Sequence, residues 1–153
     1  MELLNATPQE LWYVSPSGAQ TNIAWQIGHL AVSQYGLLLF RQRGRQPEDL
    51  DLIPGKFRKA FGRGSVPTLH EDTTTANPEY SCQDLLERLN LVHQQSLREL
   101  ETADPARLLE PVDMPYAVYP IKLGAALFAP LHEQLHAGQI GLLRRLHGLE
   151  PIR

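Results

Sequence analysis

The stretch that most constrains this chain is Leu131–Leu146, LHEQLHAGQIGLLRRL. Its apolar residues recur at helical spacing, and it carries His132 and His136 four residues apart. Residues at i and i+4 share one helix face, one turn apart. Advancing about 100° per residue from His132, Leu131, Leu135, Leu142 and Leu146 fall on one side of the histidine row. Phe128 and Leu143 fall almost on the row, and Ile140 on the other side. The wheel therefore predicts both imidazoles within the apolar stripe, with Gln139 close beside them. Glu133 lies at the edge, near the azimuth of Arg144, and Gln134 and Arg145 point away. A buried neutral imidazole needs partners for both ring nitrogens. A shared metal ion would satisfy one nitrogen on each ring, provided another element brings a third ligand, for which His29 is our candidate. The plainer alternative is that these are unrelated core histidines, each bonded to a neighbour.

Two more helices of comparable strength precede this one. Thr21–Arg43 can be capped by Thr21 or Asn22 and is ended by Gly44. It is apolar nearly all round, through Ile23, Trp25, Ile27, Leu30, Val32, Tyr35 and Leu37–Phe40. Such a helix is central, or buries a second face against a partner chain. His29 shares a face with Trp25, Ser33, Gly36 and Phe40. Gly28 and Gly36 permit close helix approach, although each costs ~1 kcal/mol relative to Ala. Ser81–Glu101 opens with Ser81 as cap and Asp84 three residues on, close to a capping box. Its stripe is Leu85, Leu86, Leu89, Val92, Leu97 and Leu100, with His93 near the middle, either as a core histidine or lining a site.

The third helix is expected to begin at Pro120, to kink at Pro130 and to stop at Gly148. A short N-terminal turn is expected at Pro8–Leu11, with Thr7 as cap. Gln46–Tyr80 and Pro105–Tyr119 read as connections. Residues 55–64, GKFRKAFGRG, are locally basic and read as a short helix or solvated loop anchored by Phe57 and Phe61, with an anionic-ligand or nucleic-acid contact as the alternative. A connection as long as Gln46–Tyr80 is expected to pack in part. Strand signals are few. The class is all-α, with residues 1–153 as one domain.

Net charge is −3, so bulk electrostatics do not favour nucleic acid. The single cysteine, Cys82, excludes an internal disulfide and points to a reducing compartment. The N-terminus lacks a basic region followed by an apolar run, and no uninterrupted apolar stretch reaches the ~18 residues of a membrane span. Cytoplasmic residence is the expectation.

The stretches NIAWQIGHLA (Asn22–Ala31) and LHEQLHAGQIGLLRRLHG (Leu131–Gly148) resemble the two signature segments of the DinB/YfiT-like superfamily, in the same order and at a similar separation. The resemblance covers the chain from about Asn22 to Ile152. It implies an up-down-down-up four-helix bundle, often a homodimer. It also implies a divalent-metal site with one histidine from the second helix and an H-x-x-x-H pair from the fourth, here His29, His132 and His136. Characterised members include metal-dependent transferases and isomerases that use low-molecular-weight thiols such as bacillithiol or mycothiol. This chain departs in one respect: about 20 residues precede Thr21, so the first helix is expected to be short or missing.

Three nitrogen ligands leave open positions on an ion and suit zinc, nickel or iron, with zinc or nickel foremost. Such an ion lowers the pKa of a bound water or thiol. Gln139, Arg144 and His93 are candidates for supporting roles: Gln139 to orient a ligand, Arg144 to meet a substrate carboxylate unless it is an exposed surface arginine. Two rivals stand beside a thiol-dependent transferase or isomerase acting on a small molecule. One is a non-enzymatic dimeric bundle with a vestigial metal site. The other is a zinc protease, because HEQLH satisfies H-E-x-x-H with Glu133 as general base. The extended form of that motif fails, since Gln139 and Leu142 stand where it needs glycine and histidine.

Overall fold

A computed structural model describes residues 2–74, 76, 78–114 and 118–152. Residues 75, 77 and 115–117, inside the two long connections, lie outside these. The α-helices are α1 (Glu2–Asn5), α2 (Ile23–Tyr35), α3 (Arg41–Arg43), α4 (Asp49–Leu52), α5 (Gly55–Phe61), α6 (Cys82–Glu101) and α7 (Lys122–Leu146). A π turn at Gly36–Phe40 joins α2 to α3, so Ile23–Arg43 runs as one rod. Among the described residues there are only isolated bridges, Val14 with His70 and Pro111 with Ile121, and no named strand. The protein is an all-α helical bundle.

Local chemistry sets the helix ends. The Asn22 side chain accepts from the Trp25 amide at 2.9 Å, and Gly44 ends the rod at φ +80°. Ser81 and Asp84 form a complete capping box on α6. α7 starts at Lys122 rather than Pro120, because Ile121 is held in its bridge to Pro111. Pro130 falls inside α7 without ending it. The N-terminal turn is a 3-10 segment at Gln9–Leu11, and Thr7 does not cap it; its hydroxyl donates to the Leu3 carbonyl instead.

Hydrogen bonds give the helix directions. At one end, Asn22 Nδ2 donates to the Tyr13 carbonyl, and the Tyr13 hydroxyl donates to the Tyr80 carbonyl just before α6. At the other, Arg43 pairs with Glu99 near the end of α6 at 2.7 Å. The α2–α3 rod and α6 are therefore parallel. α7 opposes both, since Gln42, at the end of the rod, donates to the carbonyl of Lys122, at the start of α7. Joining two parallel helices requires a return along the bundle, which residues 44–81 provide, with α4 and α5 on the way.

The rod is the central element, as expected of a helix apolar nearly all round: Ile23, Ala24, Ile27, Ala31 and Leu39 are fully covered, although Phe40 is 48% exposed. The first 20 residues matter more than their mixed composition suggests. Trp12 is 1% exposed in the main core with Phe57, Leu85, Val92 and Leu143. The stripe on α6 narrows to Leu85, Val92 and Ser96, with Leu97, Leu100 and His93 exposed. The largest departure is α7. Its buried side is Ala125, Ala129, His136, Ile140 and Leu143, whereas Leu131 and Leu135 are each 63% exposed, with Leu127, Leu142 and Leu146 exposed beside them. The expected single stripe is two, one on each side of the histidine row, and only one meets the core.

Candidate metal centre

The rod and α7 cross with His29 facing His132 and His136. One nitrogen from each ring lies within 4.8 Å of the other two, and these are the group that could hold a metal ion. The ring centroids of His132 and His136 are 4.5 Å apart, and His29 is 5.4 and 4.9 Å from them. The Nε2 atoms of His132 and His136 are 3.3 Å apart. Nitrogens at about 2.0–2.1 Å from one tetrahedral zinc stand about 3.3 Å apart, so this pair already has a chelating separation.

Two of the outward nitrogens are held. His29 Nδ1 lies 2.9 Å from the Phe61 carbonyl, which can only accept, so Nδ1 carries the proton and Nε2 keeps its lone pair. His136 Nδ1 donates to the Gln26 side-chain oxygen, and Gln26 Nε2 in turn donates to Thr21 Oγ1 at 3.0 Å. Trp25 stacks on the His29 ring at 4.8 Å and 10°, and its own Nε1 donates to Ser65. Such partners fix tautomer and ring orientation at histidine metal sites. The return connection thus supplies a carbonyl, and its access depends on Gly28. A Cβ there would stand 2.4 Å from Phe61 Cδ1, so only glycine lets α5 dock this closely.

All three imidazoles are shifted toward the neutral form. Burial lowers the His136 pKa from 6.5 to about 4, helped by the neighbouring His132 and His29. Burial also lowers His132, with His29 adding to it. For His29, burial outweighs the opposing pull of the Phe61 carbonyl. A neutral imidazole keeps one ring nitrogen unprotonated, as a metal ligand must. A cavity of about 380 Å³ opens on His29 and His132. Its walls include Ser33, Leu37 and Phe128, with Arg41 and Arg63 as its charged groups. It adjoins the π turn, where Arg41 Nη1 donates to the Gly36 carbonyl at 2.8 Å.

The three supporting candidates lie elsewhere. Gln139 is exposed, and the amide that reaches the cluster is that of Gln26. Arg144 is neither a surface arginine nor open to a substrate. It is 4% exposed, and its guanidinium donates to the Ala6 carbonyl, Thr7 Oγ1 and the Glu150 carbonyl, tying α1 to α7. His93 is exposed and meets Gln34 on a different side of the rod. Glu133, the general base of the protease reading, accepts from Gln34 at 2.7 Å and lines a second cavity, between α1, α2, α6 and α7. Cys82 is half-buried, and burial raises its thiol pKa, the reverse of what a nucleophile needs. Gln26 had a legible signal: a polar residue on a helix apolar all round needs a buried partner. The Phe61 carbonyl had none, since a backbone acceptor leaves no mark in the sequence.

Opposed helices that bring three imidazoles together around one small volume define a helical bundle with a cluster that could hold a metal ion. The chain belongs to the DinB superfamily, which it matches over residues 1–140. No curated protein is significantly similar to it. Among the described residues, no helix is long and apolar enough to cross a membrane.

Proposed function

We propose that this protein is a divalent-metal-dependent enzyme acting on a small molecule, and that its reaction is transfer of a low-molecular-weight thiol of the bacillithiol or mycothiol type. The observation that carries the reading is the cluster itself: three imidazoles held neutral, two with their outward nitrogens fixed by Phe61 and Gln26. The thiol is supported by the resemblance of the two signature helices to those of thiol-using relatives. His29, His132 and His136 would hold zinc or nickel, and the ion, when bound, makes a thiol or water more acidic. Around it, Phe128 and Leu37 form an apolar wall that limits water, and Arg41 and Arg63 suit an anionic part of the substrate. The exposed leucines of α7 support a homodimer, with two copies packing these stripes together.

Metal content per chain, measured by elemental analysis on untagged protein and on His29→Ala, tests the reading. Near one zinc or nickel per wild-type chain, lost in the variant, is expected. Metal-loaded protein is then expected to accelerate conjugation of bacillithiol to 1-chloro-2,4-dinitrobenzene. Wild type that takes up neither ion after dialysis sinks the metal centre. Full metal without turnover of any thiol leaves a binding module.

A further inference from the structure

The His29 ring is answered at both nitrogens. Nδ1 donates to the Phe61 carbonyl, so the lone pair of the neutral ring is at Nε2. Ser33 Oγ lies 3.2 Å from that nitrogen. A nitrogen that carries a lone pair can only accept, so the hydroxyl is the donor. The two residues stand four apart in α2 and share one helix face, which brings the hydroxyl to the ring. Ser33 therefore differs from the other partners of the cluster. The Phe61 carbonyl and Gln26 hold the Nδ1 atoms of His29 and His136 and leave Nε2 of each ring for an ion. Ser33 holds the very nitrogen that an ion needs.

A ring nitrogen has one lone pair, so it cannot accept from a hydroxyl and bind an ion at once. Ser33 has somewhere else to go. A serine inside a helix can bond the carbonyl four residues back, which here is that of His29. Rotation of the side chain from one staggered position to another exchanges acceptors. Ser33 also lies on the wall of the cavity of about 380 Å³, so the hydroxyl can turn without disturbing the packed core. We propose, resting on the metal reading of the cluster, that Ser33 is a latch on the empty site: it closes the His29 lone pair in the metal-free protein and must release it for an ion to enter. Ser33 thereby helps to set the free-metal concentration at which the cluster loads, although it is not a ligand. Its effect has the opposite sign to that of Gln26 and the Phe61 carbonyl, whose hydrogen bonds persist when an ion binds and favour it.

Zinc affinity measured by chelator competition on wild type, Ser33→Ala and Ser33→Thr tests the latch. Ser33→Ala is expected to bind zinc about 2–10-fold more tightly, the worth of one neutral hydrogen bond that no longer has to be broken. Ser33→Thr keeps the hydroxyl and is expected to match wild type. Long-range 1H–15N spectra of the metal-free protein read the bond itself. The His29 Nε2 signal is expected to move toward that of an unbonded ring nitrogen in Ser33→Ala, while Nδ1 stays in place. Weaker zinc binding by Ser33→Ala would overturn the proposal, because the serine would then be a support of the same kind as Gln26. Equal affinities, or a His29 Nε2 signal that the substitution leaves unmoved, would also overturn it, while zinc bound by wild type would keep the metal centre standing. Zinc taken up by neither wild type nor Ser33→Ala would remove the metal centre and the latch together.

Discussion

Replacing Gly28 by alanine tests whether the return connection governs the histidine cluster. The added methyl would stand 2.4, 2.5 and 2.8 Å from three atoms of the Phe61 ring. Ordinary carbon contacts begin near 3.5 Å, so the ring must retreat by about 1 Å or more. Behind it stand Phe57 and Tyr80, with ring centroids 4.7 and 5.7 Å away, so the retreat is resisted. Overpacking of this kind costs about 1–3 kcal/mol. For a chain of this length that lowers the melting temperature by about 2–4 °C per kcal/mol. The same movement carries the Phe61 carbonyl away from His29 Nδ1, now 2.9 Å distant. A further ~1 Å takes it past hydrogen-bond range, and losing such a partner weakens metal affinity about 10–100-fold. Thermal denaturation and zinc titration calorimetry read the two effects separately. Phe61→Ala supplies the control: with the ring gone the methyl has room, so the double variant is expected to be more stable than the sum of the singles predicts, by about 1 kcal/mol or more. A Gly28→Ala protein with wild-type melting and zinc affinity would refute the argument, because α5 would then be yielding freely.

Gln26→Met keeps the volume but removes the acceptor for His136 Nδ1, and zinc affinity measured by chelator competition should fall about 10–100-fold. Arg144→Met frees the carbonyls of α1. It should lower the unfolding free energy measured by urea denaturation by about 2 kcal/mol or more while leaving metal stoichiometry unchanged. Acid should act on the metal-free protein through the cluster. The folded His136 pKa of about 4 lies below its ordinary 6.5, so the unfolded chain takes up the proton first as pH falls. The stability tied to this histidine is complete above 6.5 and is lost as pH drops from there toward 4. His136→Gln should therefore show a shallower decline across that window, and parallel curves would exclude the linkage. Light scattering should give wild type twice the 17.2 kDa chain mass, and Leu131→Glu with Leu135→Glu should give a single chain.

The fold and the cluster were legible to different depths. Helix periodicity and caps identified the rod, α6 and α7, because Asn22, Ser81 and the glycines at 44 and 148 act locally. His29, His132 and His136 could be read because helical spacing and the family signatures constrain them jointly. What escaped the sequence was decided across the bundle. A helical wheel places Leu131 and Leu135 near the histidines, but cannot say that the core lies on the side of Ile140 and Leu143. Arg144 looked like a surface charge because its acceptors, the carbonyls of residues 3 and 6, are backbone atoms far away in sequence. The π turn at Gly36–Phe40 had no periodic signature either.

Through the Phe61 carbonyl on His29, any affinity of the cluster for a metal ion would become a property of a segment that contributes no ligand. Energetic coupling of this kind is reciprocal: whatever the docked connection adds to metal affinity, a bound ion must add to the docking of the connection. Sequence change in residues 44–81 can therefore tune occupancy while all three histidines stay in place. By the same coupling, a metal ion bound to the three histidines would act as a clasp, holding the return strap of the bundle against its central rod.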